Sequence, residues 1–267
     1  MSRIGKAFAD ASAEGRAALV VYLTAGDPDL ATTTRLIVAA AEAGADVIEV
    51  GVPFSDPTAD GVAIQRASER ALRRGTSLRG VLAAIGEARK QTDCAVLLFG
   101  YYNPILAYGE AKLVDDAKAA GVDGFLVVDL PPEACAPLRG PARAAGLDFV
   151  PLVAPTSTDT RIDAAGAVAS GFVYYVSLTG VTGAATPDFD AAIARAVHVR
   201  ARVGLPVAVG FGVKTPDDVR HVATLADGVV VGSALVQLVE RAASPDDAVE
   251  QVRAFVAALA AGTRRRR

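Results

Sequence analysis

Eight short apolar runs, rich in β-branched residues, recur along the chain: Leu19 to Thr24, Asp46 to Val50, Ala95 to Gly100, Gly124 to Asp129, Asp148 to Val153, Phe172 to Ser177, Pro206 to Gly210 and Gly228 to Val231. Between them lie stretches of helical periodicity, such as Thr33 to Glu42, Ala63 to Arg73, Tyr108 to Ala120, Glu133 to Ala145 and Asp159 to Ala169. Most of these end near Gly44, Gly75, Gly121, Gly146 or Gly171, where glycine suits a helix C-cap. Eight such βα units in a chain of 267 residues favour an α/β fold of one kind, a single closed (β/α)8 or TIM barrel, over an open doubly wound sheet. Strand alternation alone does not exclude the open sheet. An extra N-terminal helix is expected before the first run, and another helix after Gly75 within the long second connection. No linker or longer repeat interrupts the pattern, so residues 1–262 read as one domain and 263–267 as a disordered basic tail.

Composition narrows the function classes. The chain is 52% hydrophobic, enough for a large core. It carries 27 basic against 30 acidic residues, and four of the basic ones form the final Arg264 to Arg267. No aromatics are interleaved with that run, so nucleic-acid binding is not expected from it. The start, Met1 to Asp10, lacks a hydrophobic signal core, and no apolar run is long enough to span a bilayer. These features predict a soluble, cytoplasmic protein without membrane contact. Cys94 and Cys135 match neither a redox pair nor a zinc site, so free thiols and no metal are expected.

In a barrel, chemistry is assembled at the carboxyl ends of the strands. Glu49 closes the second run and Asp129 the fourth. By period-two alternation Glu49 shares a face with Val47, and Asp129 shares one with Phe125 and Val127, so either carboxylate is a candidate for the barrel mouth. An unpaired carboxylate in a strand covered on both faces is costly, which favours a chemical role for Glu49; for Asp129, capping of loop amides is favoured. Asp60, in the turn-rich loop before Ala63, reads on spacing as a helix N-terminal carboxylate, and Asp56 is a turn residue before Pro57. Gly210-Phe-Gly212 follows the seventh run, and Gly232-Ser233 follows the eighth and opens a short helix. Bare amides and a helix N-terminus there form the usual phosphate cradle of this fold, so a phosphorylated ligand is expected. The glycine-rich segment Ser177 to Thr186 has the make-up of a closing lid. His198 and His221 lie in helix-like stretches away from strand ends, which leaves acid-base work to carboxylates and implies no cofactor.

The segment Glu49 to Gly61 with Ile64-Gln65 resembles the most distinctive stretch of the tryptophan synthase α-subunit family. The similarity extends over the whole barrel through Thr24-Ala-Gly-Asp-Pro28, Tyr101-Tyr-Asn-Pro104, Asp129-Leu-Pro131, Ser177 to Gly183, Gly210-Phe-Gly212 and Gly232-Ser233. The resemblance implies retro-aldol cleavage of indole-3-glycerol phosphate to indole and glyceraldehyde 3-phosphate. Glu49 would then be the general acid/base and Asp60 the group that stabilises charge at the ring N–H. It further implies phosphate binding by Gly183, Gly212, Gly232 and Ser233, with Thr182 as the lid residue that meets Asp60. The implied indole pocket comprises Tyr22, Phe99, Tyr101, Leu126, Val128, Leu152, Tyr174 and Phe211. Pro53, Asp56, Pro57, Asn103 and Pro104 resemble the surface facing a tryptophan synthase β subunit in an α2β2 complex. No cofactor is implied here; pyridoxal phosphate belongs to the β subunit. Tyr22, where the family often has Phe, and Leu178-Thr179, where many members carry Arg-Ser, are departures. Alternatives are a stand-alone indole-3-glycerol-phosphate lyase, a non-catalytic activator of the β subunit, and a phosphosugar isomerase on the same barrel.

Overall fold

The computed structural model describes residues 1–176, 188–210 and 212–265. Its strands are β1 (Ala18–Thr24), β2 (Val47–Gly51), β3 (Ala95–Gly100), β4 (Gly124–Val127), β5 (Asp148–Phe149), β6 (Leu152–Val153), β7 (Val173–Val176), β8 (Val207–Gly210) and β9 (Gly228–Val231). The helices are α1 (Arg3–Ala13), α2 (Leu30–Glu42), α3 (Val62–Arg73), α4 (Leu78–Arg89), α5 (Tyr102–Tyr108), α6 (Glu110–Ala120), α7 (Ala136–Ala144), α8 (Asp159–Val168), α9 (Phe189–Val203), α10 (Pro216–Val222), α11 (Ser233–Arg241) and α12 (Pro245–Gly262). The strands form one parallel sheet in the order β5-β4-β3-β2-β1-β9-β8-β7-β6.

The two outer members of that order are halves of the expected fifth strand. Asp148–Phe149 pairs with β4, and Leu152–Val153 pairs with β7. Val150 donates to Phe125 O at 2.9 Å, and Tyr174 donates to Pro151 O at 3.1 Å, so the segment changes partner at Val150-Pro151 and closes the sheet into a barrel. Proline has no N–H to give a ladder, which suits it to the point where one pairing ends.

Alternation divides the core as period two requires. Val20, Val47, Leu97, Leu126, Val150, Phe172, Tyr174, Ala208 and Val230 fill the barrel interior. The opposite parity, including Val21, Ile48, Leu98, Phe125, Val209 and Val229, packs beneath the helices. The extra helix α1 closes the amino-terminal end: Ile4 and Phe8 are buried there, and Phe8 stacks on Phe172 at 4.9 Å. Gly228 is required at this floor, because a Cβ on it would lie 2.8 Å from the Phe8 ring. The helix expected from Tyr108 to Ala120 is α6, which starts at Glu110; a further short helix, α5, precedes it and is separated from it by Gly109 with φ of 90°.

Three aspartates just ahead of strands brace the floor by one repeated device. Asp46 accepts from Leu19 N at 2.7 Å, Asp123 from Val96 N at 2.9 Å, and Asp227 from Val207 N at 3.0 Å. Each also takes an arginine: Arg16 bidentate on Asp46, Arg89 and Arg3 on Asp123, and Arg200 on Asp227. Asp123 and Arg89 are both largely shielded from solvent, so Asp123→Ala leaves a shielded guanidinium without its counter-ion, held only by backbone carbonyls, and the Val96 amide without its acceptor. The expected loss is about 3 kcal/mol, read as a lower urea midpoint at unchanged slope.

The basic tail differs from its expected disorder as far as Arg265. Thr263 is 1% exposed and accepts from Ala17 N, and Arg264 bridges to Arg16. Arg265 donates to the carbonyls of Ala223 and Ala226, just past the end of α10. Those carbonyls lack helical donors and carry the negative end of the helix dipole, so they attract a guanidinium that composition alone marks as solvated.

Candidate active site

Glu49 is the third residue of β2 and 1% exposed. In register it lies between Tyr22 of β1 and Leu97 of β3, on the interior face with Val47. Among the described residues its Oε1 has no hydrogen-bond partner. Asp46, three residues earlier on the same run, has an arginine and a strand amide. One carboxylate of the pair is therefore a brace and the other is held unpaired in an apolar enclosure. Burial pushes the Glu49 carboxyl from its ordinary 4.5 up to about 8, so it keeps its proton at neutral pH.

That shift has a consequence for stability. Between pH 4.5 and 8 the native chain retains a proton that the unfolded chain has released, so stability is full below the lower value and falls as pH rises through this window. Glu49→Gln removes the penalty. The variant should gain roughly 4 kcal/mol on the parent between pH 5 and pH 9 in urea titrations, whereas parallel stability curves would show that the carboxyl ionises normally.

Asp60 occupies the loop between β2 and α3, half-buried, with Gly61 as the N-cap of α3. Burial raises its carboxyl to about 6, partly offset by the Tyr101 hydroxyl, so it is mainly ionised at pH 7. Tyr101 also accepts from Ala59 N at 3.0 Å, and its ring lies 5.3 Å from Phe54. The tyrosine thus anchors both sides of the loop that carries Asp60.

The expected indole pocket is largely assembled. Tyr22, Tyr101, Leu126 and Tyr174 are buried, and Phe99, Val128 and Leu152 are half-buried at the carboxyl ends of the interior face. Tyr22 meets Phe99 edge-on at 5.1 Å. The phenols of Tyr22 and Tyr174 are held above their ordinary range first by burial and then by the negative charges of Glu49 and Asp60. Two glycines make room for these rings: Gly51, which the sequence does not single out, and Gly210, which it marks only as part of a phosphate loop. A Cβ on Gly51 would fall 2.1 Å from Tyr22 Oη, and one on Gly210 would fall 2.2 Å from Tyr174 Oη. Their position at the ends of β2 and β8 was the available signal, but the need for glycine arises from a ring on the next strand.

The remaining positions divide clearly. Gly212 has φ of 79° in the turn after β8, and Gly232 and Ser233 form the N-cap and first residue of α11. Among the described residues no side chain caps that helix, and no acidic residue occupies its first turn, which leaves its amides suited to an anion. Thr182, Gly183, Phe211 and the segment Ser177 to Thr186 lie outside the described residues. Asp129 is exposed and accepts from Tyr102 N at 2.7 Å. Its face-mates Phe125 and Val127 pack outward beneath the helices, so the mouth-facing option for Asp129 is overturned in favour of loop capping. His198 and His221 sit on α9 and α10 against Asp159 and Asp190, away from the mouth. Of the expected partner surface, Asp56 and Asn103 are exposed and Pro57 and Pro104 half-buried; Pro53 is buried and does not contribute to it. Leu106, 55% exposed on α5, adds an apolar residue to that surface. Among the described residues, no helix is long and apolar enough to cross a membrane.

A closed parallel barrel with a buried carboxyl near one strand end, a second carboxylate facing the same aromatic pocket, and a helix N-terminus beside them has the layout of a barrel enzyme with its groups gathered at the mouth. The family model described as tryptophan synthase alpha chain matches residues 8–264, and the chain belongs to that family. It is 50% identical over 262 residues to the tryptophan synthase alpha chain of Citrifermentans bemidjiense, covering 98% of both chains. It is 53% identical over 260 residues to that of Cupriavidus pinatubonensis, covering 97% of this chain and 98% of the other. Among solved structures, tryptophan synthase from M. tuberculosis superposes with a TM-score of 0.90 at 37% identity over the full length of both chains. The tryptophan synthase subunit alpha of Legionella pneumophila gives 0.91 at 36% identity, over 98% of each. Membership makes this chain a tryptophan synthase alpha subunit, a lyase-type enzyme of tryptophan biosynthesis.

Proposed function

We propose that the chain cleaves indole-3-glycerol phosphate to indole and glyceraldehyde 3-phosphate without a cofactor, and that it passes indole to a pyridoxal-phosphate-containing β subunit in an α2β2 complex. The observation that carries this reading is the desolvated, unpaired Glu49 carboxyl at the mouth. Protonated at neutral pH, it donates to indole C3 and generates the N-protonated indolenine, a cation. Asp60, ionised, stabilises the positive charge at the ring N–H. The bond between C3 and the hydroxyl-bearing side-chain carbon then breaks, and its electron pair restores the aromatic ring. The Glu49 carboxylate takes the hydroxyl proton as the aldehyde forms, so the residue ends each turnover in the state in which it began. Tyr22, Phe99, Leu126 and Tyr174 supply flat apolar walls for the ring, while the amides of Gly212, Gly232 and Ser233 suit the phosphate. Thr182, Gly183 and Phe211 complete the proposed lid, phosphate cradle and pocket.

The partner surface and the chemistry share one loop. Asp56 and Pro57 precede Ala59, whose amide is bonded to Tyr101, the N-cap of α5; Asn103 and Pro104 lie on α5 itself. A β subunit seated on Asp56, Pro57, Asn103, Pro104 and Leu106 would therefore press on the loop that holds Asp60. Indole release from indole-3-glycerol phosphate, followed with and without a β subunit, tests substrate and partnership together. Release that rises when β is added is expected. Fast release indifferent to β would favour a stand-alone lyase, and tryptophan formation from indole and serine but never from indole-3-glycerol phosphate would reduce the chain to an activator.

A further inference from the structure

We propose that Arg70 is a positioning residue that fixes Asp60 against the phosphate-binding start of α11, a role that rests on the reaction proposed above. Arg70 lies on α3 eight residues beyond Val62, about 12 Å along the helix axis, so it acts at a distance from the reacting atoms. Its guanidinium binds Asp27 in the loop after β1 through Nε to Oδ1 at 2.9 Å and Nη2 to Oδ2 at 2.7 Å. Its remaining nitrogen, Nη1, donates to Glu240 Oε1 of α11 at 2.8 Å. Glu240 takes a second, bidentate pair from Arg66, one turn earlier on α3, at 2.9 and 2.8 Å. Asp27 is buried, Arg70 is partly buried and Arg66 is the most exposed of these groups, so the Arg70 contacts are the less screened ones.

The packing explains why a clamp is needed. Nearer the mouth, α3 meets α11 and β1 through Ala63 and Ala67 against Val236 and Tyr22. Apart from the half-buried Ile64, these alanines present low ridges, so most of this interface offers little interlocking resistance to sliding of α3 along its axis. The ion pairs of Arg66, between these alanines, and of Arg70, less than one turn beyond Ala67, supply that resistance, the register-fixing role for which paired charges are best suited. A shift of α3 is transmitted directly to the chemistry, because Asp60 immediately precedes the N-cap Gly61. Gly61 in turn abuts α11 at its first residue, where a Cβ on the glycine would stand 3.9 Å from Ser233 Oγ. The same clamp therefore sets the spacing between the charge-stabilising carboxylate and the phosphate amides.

The test is a double-mutant cycle on indole release by the complex with a β subunit, comparing wild type, Arg70→Met, Asp60→Asn and the double variant. Arg70→Met is expected to lower kcat about tenfold in the wild-type background, with KM changed by less than about threefold. In the Asp60→Asn background the same substitution should cost less than about twofold, because the group it positions is already gone. An equal factor in both backgrounds, or no effect in either, overturns the proposal. Glu240→Ala, which retains the Arg70–Asp27 pair, guards against a folding defect; it should reduce kcat severalfold at unchanged melting temperature and again be coupled to Asp60. Unchanged kcat in a fully folded Glu240→Ala complex overturns the clamp. A wild-type complex that releases no indole overturns the reaction itself, whereas an active wild type with indifferent variants overturns only the role of Arg70.

Discussion

Glu49→Gln is expected to lower kcat for indole release by about 10²- to 10⁴-fold, the range typical of a positioned acid-base group, while KM stays within about threefold. The substitution is unusually clean here. At pH 7 the native carboxyl already holds its proton, so glutamine replaces a neutral group of the same shape in an enclosure that offers no partner to Oε1 among the described residues. Packing and charge are preserved, and only the transferable proton is lost. A variant that binds substrate and is at least as stable as the parent at pH 7, but does not turn over, isolates the chemistry from the fold. Near-normal turnover would remove Glu49 from the reaction.

Asp60→Asn should cost roughly 2 to 4 kcal/mol of transition-state stabilisation, on the scale of removing one electrostatic group from an enclosed site. Its signature beyond magnitude is the pH profile. In the wild type, kcat/KM requires Asp60 ionised and Glu49 protonated, so activity should rise through about pH 6 and fall through about pH 8. Loss of the Asp60 charge should abolish the acidic limb and leave the alkaline one. An acidic limb that persists in Asp60→Asn at its original position would assign that ionisation elsewhere.

The barrel was legible because its strands are buried on both faces and its helices end at glycines, so punctuation and apolar runs coincide. Gly44, Gly75, Gly121, Gly146 and Gly171 all adopt the positive φ expected of them. The fifth run, Asp148 to Val153, did not show its change of partner, since hydrogen bonding to two different neighbours leaves no mark on an apolar pattern. Glu49 stood out by cost alone, as a carboxylate where burial is complete. Asp60 did not, because a carboxylate ahead of a helix has an ordinary explanation; its site character depends on enclosure by Tyr101 and on sharing the pocket tyrosines with Glu49. Gly51, and the ring-accommodating role of Gly210, were invisible for a related reason: what these glycines accommodate lies on another strand. Arg265 was misread because a charge run says nothing about carbonyls left free at the end of a distant helix.

The proposed reaction depends on one buried carboxyl, Glu49, that holds its proton at neutral pH and serves as both acid and base. Infrared difference spectra of wild type against Glu49→Gln, recorded from pH 5 to pH 9, read that carboxyl directly through its protonated C=O stretch. The band should be present at pH 7 and titrate away near pH 8. Its disappearance by about pH 5, as for a solvated glutamate, would contradict the account.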